Sequence, residues 1–151
     1  MKSLVYAALS GGLFLSLTGA AQAEPWVDYT PVKGVWDKTY VHVESNRIDD
    51  YLVALKKTWV PEQEAAKKHG LIDDYQIMVR IDPAGGGANV LLCQHFTSLA
   101  GLDPDKARDQ AIESENYAAL PKAKGDEMVA GFQKYRTFVG DGFYQVMTFN
   151  K

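Results

Sequence analysis

Residues 39–70 read TYVHVESNRIDDYLVALKKTWVPEQEAAKKHG, and one change of hydrophobic period inside them decides the fold. From Tyr40 to Glu44 the residues alternate. Val41 and Val43 point one way, and Tyr40, His42 and Glu44 the other, as a strand with two unlike faces requires. From Ile48 the period becomes helical, with Ile48, Leu52, Leu55 and Trp59 at i, i+4, i+7 and i+11. Asn46 suits an N-cap, Asp49 and Asp50 sit where the helix dipole favours negative charge, and Gly70 supplies the stop. Pro61 removes a backbone donor inside this pattern and predicts a kink or restart near Trp59–Val60. The segment is a strand running into a long helix.

Downstream, residues 71–82 hold a second strand, with Tyr75, Ile77, Val79 and Ile81 on one face and Gln76, Met78 and Arg80 on the other. Pro83-Ala84-Gly85-Gly86-Gly87 connects it to a third strand, Asn89 to Phe96. The triple glycine lacks the following Lys-Ser or Lys-Thr of a phosphate loop and precedes a strand, so it predicts a hairpin. Asp103-Pro104 starts a short exposed helix reaching about Ser114. Asp126 is read as the cap of a last helix with an apolar stripe of Met128, Phe132, Tyr135 and Val139. Gly140-Asp141-Gly142 is read as a turn, and Phe143 to Phe149 as the fourth strand.

Upstream, Met1 and Lys2 precede an apolar run from Leu4 to Leu17, too short to span a bilayer comfortably, and Ala21-Gln22-Ala23 offers a small-x-small cleavage site. Residues 1–23 therefore predict a signal peptide and a periplasmic or secreted chain, with no membrane association after cleavage. Residues 24–37 read as an N-terminal arm carrying Trp26 and Trp36, and residues 38–151 as a single domain. Removing the leader leaves 15 basic against 19 acidic residues. This mild acidity argues against a nucleic-acid binder, where a concentrated basic face is expected. Cys93 is the single cysteine, so no intrachain disulfide forms; its apolar surroundings read as those of a buried thiol.

The order βαββ, short helix, αβ predicts an α+β, ferredoxin-like fold: a four-stranded antiparallel sheet with helices on one face. Val41, Val43, Ile77 and Val79 form the helix-facing set. The opposite face presents Tyr40, His42, Glu44, Gln76, Met78 and Arg80, and the third strand leaves its facing open. A second copy laid against that face would cover it, so a homodimer through the open sheet face is expected.

The run Asp49-Asp50-Tyr51-Leu52, Leu55-Lys56, Trp59-Val60-Pro61, Lys67-Lys68-His69-Gly70-Leu71-Ile72 and Tyr75, with Phe96-Thr97-Ser98-Leu99-Ala100-Gly101-Leu102, resembles the dimeric α/β-barrel superfamily over about residues 38 to 149. That resemblance implies a broad set of activities: cofactor-free quinone-forming monooxygenases, polyketide cyclases, muconolactone isomerases, stress-response barrels and haem-binding chlorite dismutases. No catalytic motif of these groups lands on the sequence, so no residue is assigned by analogy.

From the residues themselves, His42 and Glu44 share a strand face, and a carboxylate beside an imidazole suits a general base. The competing reading of His42 is a hydrogen-bonding residue at a dimer interface. Tyr40, Arg80, His95 and Trp59 are the substrate-binding candidates, Arg80 for a carboxylate or phenolate unless it pairs with Glu44. Trp59 also suits the core at its spacing. No His-x-His or His-x-x-x-His spacing supports a metal site, and the reading calls for no cofactor. The expectation is an exported small-molecule-binding barrel. It would be a cofactor-independent enzyme of monooxygenase, isomerase or lyase type, transferring a proton on a small aromatic compound. The alternative is a non-catalytic periplasmic binding or assembly module.

Overall fold

The computed structural model describes residues 22–82 and 86–151. Most of the leader expected over 1–23, and Pro83 to Gly85 of the glycine-rich connection, lie outside the described residues. Strand β1 covers Tyr29–Pro31, β2 Val35–Val43, β3 Asp74–Val79, β4 Val90–Phe96, β5 Arg136–Tyr144 and β6 Met147–Phe149. Helices α1 (Ile48–Lys57) and α2 (Trp59–Lys68) lie between β2 and β3, and α3 (Lys106–Ala119) and α4 (Lys122–Phe132) between β4 and β5. The main sheet runs β3-β4-β2-β5 with every pairing antiparallel. This is the ferredoxin-like strand order, and the chain is an α+β protein of that fold. No helix among the described residues is long and apolar enough to cross a membrane.

The alternation in β2 does what it promised. Val41 and Val43 are fully buried against Tyr51 and Leu55 of α1, with Val90, Leu92 and Phe132 completing the cluster. Burying a side chain of this kind contributes about 1.5–3 kcal/mol, so this seam anchors helix to sheet. Strand β4 resolves its ambiguous facing. Val90, Leu92 and Phe96 go to the helices, and Gln94 joins them by donating its amide to Gln63 of α2. Leu91, Cys93 and His95 therefore share the open face with His42.

Several boundaries differ from the sequence reading. Asn46 does not cap α1; a 3-10 turn over Ser45–Arg47 leads into it. The restart falls at Thr58, which leaves Pro61 in the first turn of α2, where its missing donor costs nothing. Gly70 ends α2 with φ +72, as expected of a helix stop. Helix α3 is longer than read, and its cap is Asp105, whose Oδ1 accepts from the amides of Ala107 and Arg108 at 3.0 and 3.1 Å. Asp126 lies inside α4 rather than capping it.

The largest correction concerns the C-terminus. Gly140-Asp141-Gly142 is no turn: Gly140 pairs with Tyr40 and Gly142 with Lys38 inside one continuous β5. Val139 is skipped in that register as a β-bulge, which ends the parity set by Arg136 and Phe138. Phe149 belongs to β6, which pairs with β1 of the N-terminal arm. The arm is thus tied to the chain's last residues, and its Trp36 stands inside β2.

Candidate functional site

The sequence candidates are scattered. His42 lies on the open face, where its Nδ1 donates to the Gly87 carbonyl at 2.7 Å. A carbonyl only accepts, so Nδ1 carries the proton. Glu44 lies beyond the strand end, its amide bonded to the Tyr135 carbonyl at 3.0 Å, and it does not bond His42. The expected His42–Glu44 pair is not formed, because β2 ends at Val43 and alternation stops with it. Arg80 likewise does not pair with Glu44. Its Nη1 donates to Gly86 O at 3.1 Å, and its Nε lies 3.5 Å from Asp82 Oδ1.

His95 occupies the far end of the same face, opposite Trp36 in register. Six residues of strand separate Trp36 from His42, roughly 20 Å, so His42 and His95 serve different places. The His95 Nδ1 donates to Asp73 at 2.5 Å, and its ring meets that of Trp36 at a tilt of 51°, centroids 4.9 Å apart. Its other edge lies over Gly34. Tyr40 sits edge-on to Tyr144 at 6.2 Å, and Lys38 covers the Tyr144 ring. Beneath these side chains Cys93 is buried, and burial pushes its thiol pKa up. Among the described residues no cluster of His, Cys, Asp or Glu is arranged to hold a metal.

The cavity lies on the other side of the sheet. It measures about 430 Å³ and opens between the helix-facing sheet surface and all four helices. Thr39, Leu92, Arg136 and Phe138 form its floor, and Leu55, Trp59, Val129 and Phe132 its apolar walls. Asn116, Tyr117 and the Lys122–Asp126 pair stand around it, with Glu62 on the α2 side. Of the sequence candidates, Trp59 alone reaches this space; its ring meets Tyr75 edge-on at 5.6 Å. Tyr75 in turn donates its hydroxyl to Glu64, and that bond pushes the phenol pKa up to about 12.

Two ionisable groups of the cavity stand out. Glu62 is exposed as a whole residue, yet enough protein surrounds its carboxyl for burial to push its pKa up. Arg136 spreads its guanidinium over the rings of Phe132, Phe138 and Tyr51, at 4.5, 4.6 and 5.6 Å. Its Nη1 donates to Tyr51 Oη at 3.0 Å, while Nε is buried and has no partner.

Both groups escaped sequence reasoning for physical causes. Glu62 stands in a polar stretch, Glu62 to His69, that looks uniformly solvated. Arg136 falls on the polar side of a helix if α4 is carried on to Val139. The one available signal is Arg136-x-Phe138 after Tyr135, a period of two that the bulge at Val139 cuts short.

Comparison with known proteins adds no chemistry. No family model matches the sequence, and no curated protein does. Solved structures do resemble it. A dimeric ferredoxin-like protein from an uncultured marine organism is 10% identical, with 80% of this chain and 91% of that one covered at a TM-score of 0.48. A nipsnap family protein of unknown function from Agrobacterium tumefaciens is 11% identical, covering 78% and 89% at 0.40. A dimeric protein of unknown function and ferredoxin-like fold from Bacteroides fragilis is 15% identical, covering 80% and 100% at 0.39. At such scores the fold assignment rests on the strand order itself.

Proposed function

We propose that this chain binds a small aromatic compound between its sheet and its helices, and acts on it by cofactor-independent proton transfer through Glu62. One observation carries the reading: an acid with a burial-raised pKa stands in the same ring-sized cavity as Trp59, Phe132 and Phe138. A volume near 430 Å³ falls in the range of small-molecule sites, which are mostly apolar with a few convergent polar groups. A carboxyl whose pKa is raised moves towards the range where it exchanges protons near neutral pH. The protein is proposed to work as an exported homodimer. Export rests on the Ala21-Gln22-Ala23 signal, and dimerisation on the uncovered open face.

A binding or assembly module without turnover is the second reading. It is favoured by the exposed apolar side chains of Phe143, Val146 and Phe149 near the chain's end, which would suit a partner better than water.

A thermal-shift screen of small aromatic compounds, run beside Leu120→Trp, tests the first reading. The added indole should fill the cavity and abolish every stabilising shift. Shifts that persist in Leu120→Trp would move the site elsewhere. With a turned-over hit, Glu62→Gln should lower the rate by roughly a hundredfold to ten-thousandfold, the usual worth of a general acid or base. Binding without turnover, unaffected by Glu62→Gln, would favour the second reading.

A further inference from the structure

We propose that the compound bound in this cavity carries a carboxylate, held by the guanidinium of Arg136. The inference rests on the cavity being a binding site and adds the chemical class of its ligand. It starts from a charge that the protein leaves uncancelled. Arg136 has no Asp or Glu within ion-pairing distance among the described residues, and Tyr51 is the one hydrogen-bond partner of its guanidinium there. The other cation at the cavity, Lys122, is paired with Asp126 at 2.7 Å. A partly enclosed cation without a counter-charge is costly and is retained where something else supplies the anion.

The aromatic rings around Arg136 do not fill that role. Cation–π contact with Phe132 and Phe138 stabilises the guanidinium charge. The N–H groups lie in the guanidinium plane and point from its edges, so their demand for acceptors is untouched by stacking. One N–H of Nη1 goes to Tyr51, and Nε is buried without an acceptor and out of a ligand's reach. A carboxylate approaching the terminal edge would accept from Nη2 and from the second N–H of Nη1 in the bidentate geometry that guanidinium favours. A neutral amide would satisfy one of these donors and leave the charge as it was. With the carboxylate so fixed, a ring attached to it would lie against Phe138 and Phe132, and Trp59 would bound its far side.

Matched acid and amide pairs test this: benzoate against benzamide and cinnamate against cinnamamide, titrated by ligand-observed NMR at low salt. Each acid should bind at least tenfold more tightly than its amide. The preference should vanish in Arg136→Met, which keeps an unbranched stem without the charge, and shrink in Arg136→Lys, which keeps the charge but not the planar edge. Equal affinity of acid and amide would overturn the carboxylate assignment and leave the cavity standing as a binding site. Binding of none of the four would overturn both. An acid preference that survives in folded Arg136→Met would place the anion on another residue and overturn the role of Arg136. Should that variant not fold, the acid-to-amide ratio of the wild type and its reduction in Arg136→Lys decide.

Discussion

Arg136 of β5 and Tyr51 of α1 are joined at 3.0 Å by a bond whose acceptor is a phenol, not a carboxylate. Tyr51 is fully buried, with its ring edge-on to Phe132 at 5.4 Å. A phenol fixes the guanidinium in place without neutralising it, and the cation remains available to the cavity. Tyr51→Phe keeps the ring packing and removes the acceptor. It should cost about 1.5–3 kcal/mol, the worth of a hydrogen bond to a charged group, in urea denaturation. The acid-over-amide preference should persist in this variant with weaker absolute affinity. A loss below about 0.5 kcal/mol would mean that water replaces the phenol.

Gly34 and His95 make a second testable contact. At Gly34, φ is +90, and a Cβ placed there would lie 2.5 Å from His95 Cε1 and 2.7 Å from the Phe96 carbonyl. Gly34→Ala combines a backbone conformation that costs an L residue about 1–2 kcal/mol with a steric clash of about 1–3 kcal/mol. A large fall in melting temperature, or failure to fold, is expected. His95→Ala in the same background removes the ring but not the carbonyl, and should recover part of the loss. Full recovery would show the backbone conformation to be unstrained.

Two glutamates should answer pH in opposite senses. Glu115 accepts from Lys68 Nζ, at 2.9 and 2.8 Å, and from His69 Nε2, at 3.0 Å, and these bonds lower its pKa below the ordinary 4.5. A depressed folded pKa gives stability that is present above the unfolded value and lost as pH falls through the folded one. Glu115→Gln should therefore lower the melting temperature at pH 7 and lose that effect in acid. Burial raises the pKa of Glu62, so its charged form opposes folding. Its protonated form favours the fold below the unfolded pKa, and that stability is lost as pH rises through the folded value. Glu62→Gln should raise the melting temperature at pH 8 and leave it unchanged near pH 3. Parallel pH profiles for the two variants would refute these assignments.

How far the sequence reached depended on where local signals and tertiary packing agree. Val41 and Val43, Leu55, and the Gly70 stop all stand where a clean period meets a buried surface, and the ferredoxin-like order followed from them. The C-terminal third misled because a β-bulge reverses the facing of β5 halfway along. Arg136 and Phe138 face the helices, whereas Gly140, Gly142 and Tyr144 pair or stack on the open side. Glycines inside a strand mimic a turn, so a single continuous strand looked like helix, turn and strand. The cavity was illegible for a related reason. Glu62 and Arg136 lie far apart in sequence, and neither shares a motif with the other.

His42 offers a check on that shift of attention. Its Nδ1 proton holds the Gly87 carbonyl at the exit of the glycine-rich connection, and it faces away from the cavity. His42→Ala should leave ligand shifts and any turnover as in the wild type. Hydrogen exchange around Gly86 to Asn89 should speed up, although Asn89 stays tied to Val43 through both ends of its side-chain amide. Loss of turnover with unchanged binding would return the proton-transfer role to His42.

The open face makes the last prediction. Tyr40, Met78 and Tyr144 lie on a sheet surface without helices, and Met78 and Tyr144 keep 42% and 43% of their surface exposed. The outer edge of β5 bonds no further strand among the described residues, which leaves backbone donors and acceptors available along that side. A second copy would cover the apolar face, and light scattering at micromolar concentration should give twice the mass of the chain that begins at Glu24. Met78→Glu separates this from a fortuitous apolar patch. An exposed substitution of this kind changes protomer stability by about 0.5 kcal/mol or less, but two opposed sheets would have to bury its charge. The variant should run as a folded monomer with an unchanged circular-dichroism spectrum. A wild-type monomer would end the dimer proposal. A Met78→Glu dimer would move the interface off this face, and Phe149→Glu would then test the exposed end of β6.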